Sequence, residues 1–181
     1  KKTNVSFSEI VNINQERLKF SNDVSDAIKK SDIIFICVGT PTNKKTNAAN
    51  LKYVFQVANK IKSNLNKYKI IVTKSTVPVM TGDKIENILK KNKFKSKYEV
   101  VSNPEFLREG EAIRDFVVPD RVVIGTKSKK ALKIMKTLYM PIIKKTTRFY
   151  PTSRRAAELI KYASNAFLAT KISFINEVAN L

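Results

Sequence analysis

The chain has 181 residues, and its 43% hydrophobic and 28% charged content is typical of a globular protein with one sizeable core rather than a disordered one. A single cysteine excludes an internal disulfide bond, and the lack of histidine excludes His-based acid–base chemistry, Ser-His triads and most zinc sites within these residues. The formal net charge of +20 comes from dispersed lysines without a nucleic-acid-reading motif, so we expect no specific nucleic-acid partner.

The hydropathy pattern gives no sign of a membrane segment. The longest strongly apolar run lies near residues 33–38, far below the roughly 20 residues that a membrane span needs. No charged, apolar and small-residue signal pattern opens the sequence. We therefore expect no membrane partner and a cytoplasmic location.

Apolar runs alternate with segments of helical periodicity, which predicts βα repeats and a mostly parallel sheet. Cys37 lies in one of these apolar runs, so it is interpreted as a buried thiol rather than a nucleophile. The predicted strands are 17–20, 32–38, 68–74, 99–102, 121–125 and 146–150, and the predicted helices are 23–30, 51–66, 78–91, 129–139 and 153–181.

The segment after the fourth predicted strand places two acids four residues apart. Asn103 suits a helix N-cap and Pro104 the first helical position, so Glu105 and Glu109 are predicted to share one helix face. Two like charges at that spacing favour a nearby cation, a ligand or a water molecule as partner. The alternative is a solvated first helical turn whose acids suit the helix dipole.

The last predicted helix, 153–181, has apolar residues almost all the way round. This pattern predicts burial on several sides. The apolar positions are Ala156, Leu159, Ile160, Ala163, Ala166, Phe167, Ile172, Phe174, Ile175 and Val178.

Four segments, in this order, resemble the nucleotide-sugar dehydrogenases of the UDP-glucose/GDP-mannose dehydrogenase family: SDIIFICVGTPT, IIVTKSTVPV, VSNPEFLREGEAIRDFVVPDRVVIG and AELIKYASNAFLATKISFINEVANL. The resemblance covers residues 7–181. It implies an α/β fold with a partial Rossmann-like, doubly wound, mostly parallel sheet followed by a long connecting helix. Residues 1–150 would be the C-terminal portion of an NAD-binding domain, and residues 151–181 the start of a central helical domain.

The resemblance also implies a reaction. PDRVVIG and KISFINE are more similar to the UDP-glucose branch, which oxidises UDP-glucose to UDP-glucuronate with NAD, in two hydride-transfer steps through a cysteine thioester. The 181 residues contain neither GxGxxG nor a cysteine in matching surroundings, so we expect an inactive fragment. The long helix would lie in a homodimer interface.

Two alternatives remain open. Within the family, the substrate would be GDP-mannose or UDP-N-acetylmannosamine. From a different class, a non-catalytic polyanion-binding module would bind DNA tightly in a salt-sensitive manner.

The resemblance implies residue roles position by position. Lys161 and Asn165 would donate hydrogen bonds to the reacting sugar, Glu105 would position or deprotonate water, and Thr76 would order that water. The implied catalytic residues are thus Lys161, Glu105, Thr76 and Asn165, and no metal ligand is predicted. The implied cofactor-binding residues are Val38, Gly39, Thr40, Pro41, Thr42, Ser75, Thr76, Val77 and Glu109. The implied substrate-binding residues are Glu105, Phe106, Leu107, Arg108, Glu109, Lys161 and Asn165.

Overall fold

Helices and strands alternate along residues 16–92 and 97–181, which the computed structural model describes. Residues 7–15, where the family resemblance begins, lie outside the described residues. The helices are α1 (Val24–Lys30), α2 (Lys52–Asn64), α3 (Thr81–Leu89), α4 (Ala112–Val117), α5 (Lys129–Tyr139) and α6 (Arg154–Ala179). The strands are β1 (Ile33–Ile36), β2 (Lys69–Thr73), β3 (Tyr98–Ser102), β4 (Arg121–Gly125) and β5 (Arg148–Thr152).

The five strands form one sheet in the order β1-β2-β3-β4-β5. Strands β1, β2 and β3 are parallel, β3 and β4 are antiparallel, and β4 and β5 are parallel. The prediction of a mostly parallel α/β sheet is therefore confirmed. The antiparallel contact pairs Ser102 with Gly125, so the carboxyl ends of β3 and β4 meet.

Two apolar clusters cover the two faces of the sheet. Side chains alternate along β2, so Ile71 lies in one cluster while Ile70 and Val72 lie in the other. Helices α1, α2 and α3 pack on the first face and α5 packs on the second. This double cover explains why the central strands are continuous apolar runs.

The apolar stripe predicted for the second helix is present in α2. Val54, Ala58 and Ile61 are fully buried, and Val57 is partly buried against the same cluster. Their spacing of three and four residues places them on one side of the helix. Helices α5 and α6 are each preceded by a serine, Ser128 and Ser153, whose hydroxyl oxygens accept the hydrogen bonds expected of an N-cap.

Residues 17–20, predicted to be a strand, do not form one. Leu18 and Phe20 are exposed, so this segment does not gain the burial that stabilises a strand. Strand β1 also ends earlier than predicted, at Ile36, so Cys37 begins the following loop and is exposed rather than buried in a strand.

Glu105 and Glu109 do not share a helix face, because residues 103–108 are not helical. The side chain of Asn103 is buried and bonds to neighbouring elements, so it does not cap a helix. Gly110 has φ 81°, a left-handed conformation that interrupts a right-handed helix before α4 begins at Ala112.

Only the first two turns of α6 are buried, at Arg154, Ala157, Glu158 and Lys161. The prediction of burial on several sides is wrong for the described chain, because no residue of α6 after Lys161 is buried there. The exposed apolar residues beyond that point include Phe167, Leu168, Ile172, Phe174, Ile175 and Val178.

Candidate active site

The loops that follow β1 and β2 are fastened together at the carboxyl edge of the sheet. The Ser75 hydroxyl donates to the Val38 carbonyl oxygen at 2.6 Å, and the Thr40 hydroxyl donates to the Thr76 carbonyl oxygen at 2.9 Å. Parallel strands bring these loops to one edge, which is where open α/β sheets bind ligands. The structure therefore places Val38, Thr40, Ser75 and Thr76 side by side.

The rest of the first loop turns back on itself. The Pro41 carbonyl oxygen accepts the Asn50 backbone N–H at 2.8 Å, and Thr42 pairs with Ala49 in an isolated bridge. A Cβ atom added to Gly39 would meet no heavy atom within 4 Å, so this backbone borders open space. A ligand can approach the main chain closely at such a position.

Val77 differs from the other implied cofactor residues. It is 4% exposed and belongs to the first apolar cluster. Its side chain therefore contributes to the core rather than to the open edge, and the implied cofactor contact is not available to that side chain.

Three implied catalytic groups lie together although they are distant in sequence. The Thr76 hydroxyl donates to Oε1 of Glu105 at 3.4 Å, and Nζ of Lys161 lies 3.3 Å from Oε1 and 3.4 Å from Oε2 of the same carboxylate. The Leu107 backbone N–H donates to Oε2 at 2.9 Å. The Glu105 carboxylate is thus held by a hydroxyl, an ammonium and a backbone amide.

Burial strengthens this arrangement. The Lys161 side chain is 8% exposed and that of Glu105 is 28% exposed, so water screens their attraction less than at an open surface. Lys161 also lies over the Phe106 ring, with Nζ 5.4 Å from the ring centroid. Cζ of Arg121 lies 5.3 Å from the same centroid. The aromatic ring is therefore held beside two cations.

Leu107 and Arg108 are less available to a substrate than the resemblance implied. Their backbone N–H groups are already donated, that of Leu107 to Glu105 and that of Arg108 to Asp115. The Arg108 guanidinium makes a two-point contact with Asp115, at 3.0 and 2.7 Å. These hydrogen bonds from Arg108 lower the pKa of Asp115 to about 2.

Glu109 and Asn165 are not brought into this cluster. Glu109 is exposed in the turn before α4. Asn165 lies one turn beyond Lys161 on the same side of α6 and is also exposed. Glu109 and Asn165 could fulfil their implied roles only with a ligand or a partner that reaches these exposed positions.

Sequence reasoning missed the contacts that fix α6 beside the site. The buried Glu158 carboxylate accepts the backbone N–H groups of Met80 and Gly82, both at 2.8 Å, and the Ser102 hydroxyl at 3.1 Å. A carboxylate is well placed there, because the first N–H groups of α3 lack helical partners. The signal in the sequence was an acid four residues after Arg154, on the face that α6 buries.

Arg154 is buried beside Glu158 and pairs with acids of α3. Its guanidinium donates to Asp83 at 2.7 Å and also to Glu86. Arg155 donates to the second oxygen of Asp83 at 2.6 Å. These pairs hold the first turn of α6 against α3, about two turns before Lys161.

Sequence reasoning also missed a hydrogen-bonded group near Glu105, formed by Tyr139, Asn103 and Lys74. The hydroxyl of Tyr139, at the end of α5, donates to Oδ1 of Asn103, and Nζ of Lys74 lies 3.2 Å from that hydroxyl. Burial raises the pKa of Tyr139 to about 12, with the hydrogen bond to Asn103 acting in the opposite direction. Burial also lowers the pKa of Lys74, while the nearby Glu105 carboxylate acts to raise it.

The described residues form neither a metal site nor a membrane span. Across residues 16–92 and 97–181, no three His, Cys, Asp or Glu side chains are grouped to hold a metal ion. None of the helices described there combines the length and apolarity needed to cross a bilayer.

The residues at the sheet edge fit part of a dinucleotide site. They offer open backbone at Gly39 and hydroxyls at Thr40, Thr42 and Thr76, beside the carboxyl ends of parallel strands. The glycine-rich turn that receives a pyrophosphate is not among the 181 residues. The fit is therefore to the portion of the cofactor that extends beyond that turn.

Doubly covered parallel strands, with polar groups converging at their carboxyl ends, define a Rossmann-like nucleotide-binding protein. Residues 6–143 match the model of the UDP-glucose/GDP-mannose dehydrogenase family, NAD binding domain, and residues 155–181 match the central domain of that family. The chain belongs to the UDP-glucose/GDP-mannose dehydrogenase family. The predicted family and the predicted NAD-binding type of domain are confirmed.

Named relatives agree with this assignment. The UDP-glucose 6-dehydrogenase of Rhizobium meliloti (strain 1021) is 48% identical over 172 residues, which cover 94% of this chain and 39% of that protein. The UDP-glucose 6-dehydrogenase TuaD of Bacillus subtilis (strain 168) is 51% identical over 171 residues, covering 94% of this chain and 36% of that protein.

The fold is also that of a solved relative. The structure of a UDP-glucose dehydrogenase from the hyperthermophilic archaeon Pyrobaculum islandicum has a TM-score of 0.85 at 38% identity, over 92% of this chain and 38% of that one. The chain thus spans less than half the length of each of these relatives.

Proposed function

We propose that these residues belong to an NAD-dependent UDP-glucose 6-dehydrogenase, which oxidises UDP-glucose to UDP-glucuronate in two hydride-transfer steps through a cysteine thioester. The similarity to the two UDP-glucose 6-dehydrogenases supports this substrate. The observation that carries the proposal is the contact of Thr76, Glu105 and Lys161 at the carboxyl edge of the sheet.

Lys161 would stabilise negative charge that develops on the sugar oxygen. An ammonium has three N–H donors, and Glu105 can take one of them while orienting the group. Because the ammonium is held in place and largely shielded from water, it needs little reorganisation as charge develops. Asn165 would add an amide donor one turn further along α6.

Glu105 and Thr76 would act on a water molecule. The carboxylate oxygen that accepts the Thr76 hydroxyl can also accept a water proton, and the hydroxyl can orient that water. The side chains of Phe106 and Leu107 would exclude bulk water from the position of this water molecule. Glu109 would contact ligands only when they reach the exposed turn.

Val38, Gly39, Thr40, Pro41, Thr42 and Ser75 would hold NAD, which when bound serves as the hydride acceptor. Cys37 would have no nucleophilic role, because its surroundings differ from those of the family's reactive cysteine. That thiol would come from outside these residues. The proposed boundary between the NAD-binding and central domains lies at residues 150 and 151.

The full-length protein would be a cytoplasmic homodimer. Apolar side chains cover the second half of α6 and are exposed in the described chain. A patch of this kind is typical of a surface that another molecule covers. We propose that a second copy of the protein covers it.

The test is an assay of NADH formation by the full-length protein that contains these residues. We expect turnover with UDP-glucose and little or none with GDP-mannose or UDP-N-acetylmannosamine. Lys161→Met should lower kcat by about 100- to 1,000-fold, because it removes a fixed donor to the developing oxyanion.

The control is Lys133→Met, which makes the same change at an exposed position of α5. Failure of the wild-type protein to form NADH with any of the three sugars would reject the enzymatic proposal. Turnover with another sugar would move the substrate to that branch, and equal turnover of the two lysine variants would remove Lys161 from the mechanism.

A further inference from the structure

Asn103, the first residue after β3, joins four elements through its amide groups. Its backbone N–H donates to the Thr73 carbonyl oxygen at 3.0 Å, and its side-chain Nδ2 donates to the Val123 carbonyl oxygen at 2.9 Å. Oδ1 accepts the Tyr139 hydroxyl. The residue therefore ties the start of the Glu105 segment to β2, β4 and α5.

Lys74 completes this group from the end of β2. Its Nζ lies 3.2 Å from the Tyr139 hydroxyl and 3.5 Å from Oδ1 of Asn103, and 5.6 Å from the centroid of the Tyr139 ring. Its two hydrogen-bond partners are neutral, and burial lowers the pKa of Lys74 even though the Glu105 carboxylate acts to raise it. A methionine would fill the same space without the penalty of burying a charge, so the ammonium calls for a reason beyond packing.

The segment that carries Glu105 borders an unfilled space. A cavity of about 180 Å³ lies between this segment, β4 and α5. Its lining includes Phe106, Arg108, Phe116 and Ile142, together with Asn103 and Tyr139. Because side chains do not fill this space, the hydrogen bonds at Asn103 help to keep the segment from shifting into it.

We propose that Tyr139, Asn103 and Lys74 are positioning residues for Glu105. They fix the backbone two residues before the carboxylate, so that Glu105 meets the Thr76 hydroxyl and the Lys161 ammonium together. The catalytic consequence rests on the proposed function, whereas the anchoring of the segment does not.

The experiment compares Tyr139→Phe with Tyr98→Phe in the intact protein. Both substitutions remove one partly or fully buried phenolic hydroxyl, and that of Tyr98 donates to the Glu86 carbonyl oxygen on the other side of the sheet. Amide hydrogen exchange, read by mass spectrometry on peptides covering residues 103–108, reports the anchoring directly, because the Leu107 N–H is bonded to Glu105.

We expect exchange in residues 103–108 to become about tenfold faster in Tyr139→Phe, the effect of losing one buried hydrogen bond, and to stay unchanged in Tyr98→Phe. In the NADH assay, kcat of Tyr139→Phe should fall about tenfold while KM for UDP-glucose stays within about twofold. Lys74→Met should likewise speed exchange in residues 103–108 and lower kcat. It replaces Tyr139→Phe in the experiment if that variant does not fold.

Wild-type exchange in both Tyr139→Phe and Lys74→Met would overturn the anchoring, whatever the activity. Faster exchange with a kcat equal to that of Tyr98→Phe would overturn the positioning role. A wild-type protein without activity on any sugar would reject the proposed function, and the exchange measurement would still decide whether Tyr139 anchors the segment.

Discussion

Among the described residues, Met80 and Asn47 have a positive φ without being glycine, and the conformation suits Met80 less well than an asparagine. Met80 has φ 75° and ψ 4° at the N-cap of α3, a left-handed conformation that is unfavourable for a residue with a Cβ atom. Its backbone N–H donates to Glu158, so this conformation helps to hold α6. The side chain itself is about half exposed and offers little burial in return.

Met80→Gly should therefore stabilise the protein. Glycine removes a strain of about 1–2 kcal/mol, part of which is offset by the greater freedom of the unfolded chain. A net gain of about 0.5–1 kcal/mol corresponds to a rise in Tm of about 1–4 °C for a domain of this size. Thermal unfolding followed by circular dichroism measures the change.

Met140→Gly is the matched control, because Met140 is also exposed but has a right-handed backbone conformation with φ −48°. We expect that variant to be neutral or less stable than the wild type. A fall in Tm for Met80→Gly as large as that for Met140→Gly would show that the left-handed conformation carries no strain.

At the scale of elements, the contact between α3 and α6 connects the fold to the site. Glu158 caps α3, and Arg154 and Arg155 pair with Asp83 in the first turn of the same helix. Lys161 follows Glu158 by three residues, so the contacts that dock α6 also set where the ammonium lies. The stability of this contact should depend on pH.

Asp83 provides that dependence. The hydrogen bond from Arg155, supported by that from Arg154, lowers the pKa of Asp83. Because the folded-state pKa is below the unfolded-state value, the stabilisation is complete above the ordinary aspartate range and is lost as pH falls through the lowered value.

Asp83→Asn should thus reduce the free energy of unfolding by about 1 kcal/mol near neutral pH and by progressively less at acid pH. Urea unfolding from about pH 7 to about pH 3 measures both curves. Asp26→Asn, at an exposed pair with Lys30, should give a smaller difference throughout. Parallel curves for the wild type and Asp83→Asn would contradict the assignment.

The sequence predicts most elements here because their patterns are local. The apolar spacing of α2 and the continuous run of β2 depend only on which faces are covered. The helix predicted after Asn103 is wrong because Asn103 is used by a distant tyrosine, which no local pattern reveals. The antiparallel contact of Ser102 with Gly125 is likewise long-range, so the periodicity does not predict it.

The site was predicted unevenly for the same reason. Family motifs indicated Thr76, Glu105 and Lys161, and the fold brings these three together. Val77 was assigned to the cofactor from its place in a motif, but the turn after β2 directs it into the core. Glu158 carries no motif, and its importance arises only from where α3 begins.

At the scale of the whole molecule, the described chain leaves a long apolar surface on α6 without cover. Phe174 and Ile175 are 65% and 61% exposed, although they lie in a helix whose first turns are buried. Exposing several such side chains is unfavourable in water, so a second surface is expected against them.

Phe174→Glu should convert the proposed dimer into a monomer, because it would place a charge in an apolar interface. Analytical ultracentrifugation of the full-length protein measures the mass. The matched control is Leu138→Glu, at an exposed position of α5 that should leave the dimer intact. A wild-type monomer would reject the dimer, and dissociation by both variants would point to a general loss of folding.

Gly125, at the end of β4, lies very close to the start of α6. A Cβ atom there would lie 2.6 Å from Cβ of Ala157 and 2.8 Å from both Cα of Arg154 and the carbonyl oxygen of Ser153. Any bulkier residue would act as a wedge beneath the helix that carries Lys161, tilting the ammonium away from its carboxylate. A genetic screen for lost turnover would therefore identify position 125 as readily as the reactive groups, even though glycine has no side chain with which to do chemistry.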